Sequence, residues 1–128
     1  MNLPERHQLG FKELISILTA AAKNIYKHEI TAKVLLYENN NRQGYHDQLR
    51  QKAIVLSELA DNVALCGDLP PHIKAMAQER IGSFSFEADR AIRLDSVFYM
   101  AVLLYPEDYQ EGTPNELENF INYLIQQS

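Results

Sequence analysis

Cysteine is nearly absent from this chain: Cys66 stands alone among 128 residues. No internal disulfide can form, and no cysteine-rich zinc site can be assembled. A lone cysteine suits a reducing compartment, so the cytoplasm is the expected location. With no Cys–His spacing around it, Cys66 reads as a small apolar residue near a helix end rather than as a nucleophile. Glycine and proline are also scarce, five of each, and no low-complexity tract occurs, which sets the chain apart from disordered and fibrous compositions. Long hydrophobic runs are missing. The longest, Val97 to Tyr105, has about half the roughly 18–20 residues that a bilayer demands. The N-terminus places Pro4, Glu5, Lys12 and Glu13 where a secretory signal would need an uninterrupted apolar stretch. Neither export by that route nor a membrane span is expected.

Positive charge is in deficit as well, with 12 Lys and Arg against 17 Asp and Glu and a formal net charge of −5. The imbalance is uneven. Residues 1–53 carry eight cations against five acids (+3), and residues 54–128 carry four against twelve (−8), which together give −5. An acidic surface repels nucleic-acid phosphates and anionic headgroups over a Debye length of about 8–10 Å and favours a basic protein partner. Direct nucleic-acid or membrane binding is therefore not expected.

The apolar residues follow helical periodicity throughout. Phe11, Leu14, Ile15, Leu18, Ala22, Ile25 and Tyr26 share one face, and Ile30, Val34 and Tyr37 continue it, so the spacing predicts a first helix from Phe11 to about Glu38, or two helices if it breaks near His28. Asn39-Asn40-Asn41 and Gly44 supply a turn. A second helix is expected from about Gly44 to Leu65, with Tyr45, Leu49, Ala53, Leu56, Ala60 and Val63 inward and Cys66-Gly67 at its end. Pro70-Pro71 opens a short third helix bearing Ile73, Met76, Ala77 and Ile81, with Gly82 as its cap. Ser83 or Ser85 then caps a fourth helix reaching Tyr105, whose last nine residues are apolar all round and belong at the centre of the bundle. Pro106 ends it. Thr113-Pro114-Asn115-Glu116 has the form of a capping box, opening a last helix with Leu117, Phe120, Ile121, Leu124 and Ile125 buried. No strand-like alternation competes. The expected fold is an all-α, single-domain bundle over residues 1–128, of five helices, or six if the first divides.

Chemistry is harder to find. Di-iron bundles need Glu-x-x-His steps, and none of His7, His28, His46 and His72 lies three residues after an acid. Magnesium-dependent helical pyrophosphatases need repeated acid-x-x-acid steps; within the expected helices only Glu58-x-x-Asp61 fits. Arg42 and His46 fall one residue short of the Arg-to-His spacing of helical ribonucleases. No glycine-rich phosphate loop, nucleophile elbow or Cys-x-x-Cys is present. A helix-turn-helix over residues 44–67 and 71–81 would offer only Lys74 and Arg80, beside Glu79, for phosphate contacts. Lys12, Lys23 and Lys27 line the polar side of the first helix, with Glu13 and Glu29 flanking them. No catalytic residue, metal or cofactor is expected.

Two features stand out. Asp95 sits among Ile92, Phe98, Tyr99 and Val102, where an unpaired carboxylate is costly, so it is expected to be buried and paired. The segment Tyr105-Pro106-Glu107-Asp108-Tyr109-Gln110-Glu111-Gly112 places three acids and two tyrosines in an exposed connection. Steering charge beside aromatic anchors is the composition of an interface, and Tyr105, Glu107, Asp108, Tyr109 and Glu111 are the candidate partner-binding residues. The expected function is a non-enzymatic protein-binding domain that neutralises a basic partner such as a nuclease toxin, in the manner of immunity and antitoxin proteins. The alternative is a structural or regulatory subunit whose basic and acidic halves meet in a homo-oligomer; a helical hydrolase or nuclease without a recognisable motif comes third.

Overall fold

The computed structural model describes residues 3–64 and 67–128; the expectations for Cys66 and for a helix end at Leu65 lie outside them. Five helices make up the described residues, α1 (Glu5–Tyr37), α2 (Arg42–Val63), α3 (Pro71–Leu94), α4 (Val97–Val102) and α5 (Glu116–Gln127). The all-α bundle is as the periodicity implies. None of these helices is long and apolar enough to cross a membrane.

The first helix does not break at His28. It runs unbroken for 33 residues, about 50 Å, and begins at Glu5, ahead of the first apolar repeat. Its early start depends on Gly10, whose missing side chain admits the backbone of the α2–α3 connection: a Cβ there would stand 1.7 Å from the Asp68 carbonyl oxygen. The Gly67 amide, next to it, donates to Glu13 Oε2 at 3.0 Å. The buried face of α1 is Phe11, Leu14, Leu18, Ala21, Ile25 and Ala32. Tyr26, Ile30, Val34 and Tyr37, expected to continue that face, are exposed instead.

Asn40 takes the left-handed turn (φ 50°), and the Asn41 side chain caps α2 by accepting from the Gly44 amide at 2.8 Å. The central helix α2 packs between α1 and α3, with α4 lying on α2 and α3 and α5 on α1. Gly82 does not end a helix. The apolar register Ile73, Ala77, Ile81, Phe84, Ala88 and Ala91 passes straight through it, and Ser85, rather than capping, donates its hydroxyl to the Leu56 carbonyl (2.7 Å) and accepts from the Ala60 amide (3.0 Å), fastening α3 to α2.

The actual break falls at Asp95, which adopts φ 49° at the C-terminus of α3, after which Ser96 caps the short α4 by accepting from the Tyr99 amide. The apolar run beyond is therefore only half central. Met100, Leu103 and Leu104 are buried, whereas Phe98, Tyr99 and Val102 face outward. The last cap is shifted by two residues from the expected box: Asn115 and Glu118 exchange their side-chain and amide bonds, at 2.9 Å each. Thr113 instead donates to the Gln110 carbonyl within the preceding loop. Leu117, Phe120, Ile121 and Leu124 are buried as expected, and Ile125 is exposed.

Candidate functional site

The α4–α5 loop is a folded object. Its entrance is Leu104 at φ 75° and its exit Gly112 at φ 91°, and the Glu116 amide donates to the Leu104 carbonyl at 3.0 Å, closing the two ends on each other. Inside, the Tyr109 amide donates to the Pro106 carbonyl (2.9 Å) and its hydroxyl to the Thr113 carbonyl (2.6 Å). The rings of Tyr105 and Tyr109 meet edge to face at 4.7 Å, a favoured aromatic geometry. The candidate residues divide accordingly. Glu107, Asp108 and Glu111 are exposed, while Tyr105 and Tyr109 are half-buried braces that shape the loop.

Tyr105 leads to a group of residues that composition and spacing did not single out. Its hydroxyl donates to Glu29 Oε1 at 2.8 Å, and Glu29 Oε2 lies 3.1 Å from Lys52 Nζ, whose side chain has no exposed surface at all. The ammonium also donates to the Ala101 carbonyl at 3.1 Å and stands 4.9 Å from the centroid of the Tyr105 ring. The ammonium thus has two hydrogen-bond acceptors and the face of an aromatic ring around it. Burial pulls the Lys52 pKa below the ordinary lysine value, while Glu29 draws it back up. Burial, and then the hydrogen bond to Glu29, push the Tyr105 hydroxyl far above its ordinary value. A signal for this pair was present. Lys52 is in register with Leu49, Ala53 and Leu56, and Glu29 with Ile25 and Ala32, so opposite charges stand on the apolar faces of adjacent helices. With no exposed surface, Lys52 cannot meet a substrate; the cluster ties α1, α2 and α4 together and holds the loop by Tyr105.

Asp95 is paired but not buried, correcting the expectation. Its side chain is 57% exposed, with Oδ1 at 2.8 Å from Arg50 Nη1 and 2.9 Å from His46 Nε2. The left-handed turn at Asp95 swings the carboxylate out of the apolar helix face and towards the N-terminal half of α2. On the surface of α3, Asp89 pairs with Arg93 (3.2 Å) and Glu87 with Arg90 (3.9 Å).

Among the described residues, no three of His, Cys, Asp and Glu converge so as to hold a metal ion. A cleft of about 240 Å³ between α3 and α4 is lined by Arg80, Arg90, Glu87 and Tyr99 among others, a mixed-charge wall without an imidazole or thiol. The chain matches no protein-family model, no curated protein and no solved structure.

Proposed function

We propose that this chain is a protein-binding domain rather than an enzyme, and that its acidic α4–α5 loop docks and neutralises a basic partner in the cytoplasm. A nuclease toxin is the partner class whose charge fits best. The observation that carries this reading is the loop itself. Its backbone is fixed by internal hydrogen bonds and by Tyr105, and Glu107, Asp108 and Glu111 project into solvent, none of them in an ion pair among the described residues. A loop already ordered loses little conformational entropy on binding, and unpaired carboxylates steer a cationic surface toward it. A nuclease must present cations to phosphate, and the same cations would meet these carboxylates.

The test is retention of proteins from the native host by the immobilised chain and by a variant with Glu107→Gln, Asp108→Asn and Glu111→Gln. A basic protein that the parent holds, that the variant associates with about tenfold more slowly or worse and with a flattened salt dependence, and whose activity the parent inhibits, supports the reading. Equal retention by both, or no basic protein held, overturns it.

A further inference from the structure

On the side of α1 away from its buried face, Tyr26, Ile30, Val34 and Tyr37 recur at steps of four, four and three residues and so form one line. All four are exposed, Tyr26 by 64% and Tyr37 by 80%. Single apolar residues on a surface need no explanation, but a row of four with a tyrosine at each end does. α5 reaches only the beginning of this row, where Tyr26 and Ile121 share an open groove of about 430 Å³. Charges of both signs flank it at each end, Lys23 and Lys27 at the near end and Glu38 at the far end. Lys33 lies within the row and Arg42 just past its far end, neither in an ion pair among the described residues. At the near end sits the acidic loop, fixed beside Glu29 by Tyr105.

We propose that a second copy of this chain covers the row, the two α1 helices packing antiparallel about a two-fold axis near residue 32. Such an axis lays Tyr26 of each copy on Tyr37 of the other. It also carries the acidic loop of one copy to Lys33 and Arg42 of the other, and Glu38 toward Lys27. Because a two-fold interface is self-complementary, every favourable contact occurs twice. An anionic membrane fits less well, since the acidic loop and Glu38 at the two ends of the row would repel its headgroups.

The test is the mass of the full chain in solution, by light scattering or sedimentation, across a wide range of protein concentration at low and high salt. The expected result is a concentration-dependent dimer, weakened by salt. Ile30→Glu with Val34→Glu should weaken it by about tenfold or more while the helical circular dichroism stays unchanged, both positions being exposed. Lys33→Glu with Arg42→Glu, and separately Glu107→Lys with Asp108→Lys, should each give monomers, and an equimolar mixture of the two should restore the dimer, because each loop then again faces residues of opposite charge. A chain that stays monomeric throughout overturns the proposal and leaves the row to an acidic partner helix. A dimer that survives Ile30→Glu with Val34→Glu, or a mixture no more associated than its components, also overturns it. Ile30 and Val34 play no part in the loop, so a variant that loses the dimer but keeps a basic partner separates this inference from the function proposed above.

Discussion

Replacing Lys52 by methionine keeps most of the side-chain stem and removes the ammonium. Glu29, only 14% exposed, would then keep its negative charge with the Tyr105 hydroxyl as its one remaining side-chain donor, and the Ala101 carbonyl would lose the donor it has from Lys52. Removing one member of a buried ion pair costs about 3–5 kcal/mol, because the charge left behind is no longer compensated. For a chain of 128 residues, an unfolding entropy of about 2.1 cal/mol/K per residue makes 1 kcal/mol equivalent to about 3.7 °C, so the expected fall in Tm is about 11–19 °C. Glu29→Gln should cost less, since its amide oxygen can still accept from Tyr105 and the lysine can release its proton. The double variant, which leaves neither charge, should recover most of the loss and lie within about 2 kcal/mol of the parent. The measurement is thermal and urea unfolding of the parent, both single variants and the double variant at neutral pH, closed as a cycle. If Lys52→Met melts within about 2 °C of the parent, or the double variant loses the sum of the single losses, the pair is not coupled as its geometry implies.

Three other outcomes are expected. The helical glycines Gly10 and Gly82 should respond with opposite sign to alanine: Gly82→Ala, with nothing within 4 Å of the new Cβ, should stabilise by about 0.5–1 kcal/mol, whereas Gly10→Ala should destabilise by about 3 kcal/mol by displacing the Asp68 backbone, and matching signs in urea unfolding would contradict the packing described. Asp95→Ala should cost about 1 kcal/mol or less, the scale of an exposed ion pair, and a loss above about 3 kcal/mol in the same assay would mean that Asp95 is a buried partner after all. Burial raises the pKa of the Tyr45 and Tyr105 hydroxyls above the ordinary tyrosine value, so they hold protons in the folded state that the unfolded chain releases, and stability should fall as pH rises past about 10; Tyr105→Phe should flatten that decline in a pH series of melts, and an unchanged slope would refute the assignment.

The helices and their order are legible in the sequence because burial repeats every three to four residues, and the Asn39–Asn41 turn because its residues tolerate a left-handed backbone. What escaped reading depended on long-range geometry. Gly82 has the form of a cap, yet the hydroxyl of Ser85 finds its partners on α2 and the helix gains by continuing. Asp95, with no glycine to mark it, takes the left-handed turn because Arg50 and His46 lie on the side toward which it opens. The row from Tyr26 to Tyr37 has the same period as the buried face but is rotated from it around the helix, and α5 is too short to cover it. In the candidate loop, the exposure of the three acids could be read from charge and proline. The anchoring of Tyr105 could not, since its acceptor lies 76 residues earlier in the chain. The Lys52–Glu29 pair was readable in principle, since each charge is in phase with apolar neighbours.

Among the helices, α5 packs only on α1, so its docking joins opposite ends of the chain. The closure entropy of so long an intervening segment must be met before any of its contacts form, whereas α1, α2 and α3 gain theirs from neighbours in sequence. The last helix should therefore associate late in folding and detach early, as a unit, from an otherwise native molecule. In native-state hydrogen exchange the amides of Leu117 to Leu124 would then report an opening free energy well below that of α2. The acidic loop would lose its exit anchor in the same event while Tyr105 kept its entrance in place, which makes the lifetime of the binding surface a property of α5 rather than of the loop.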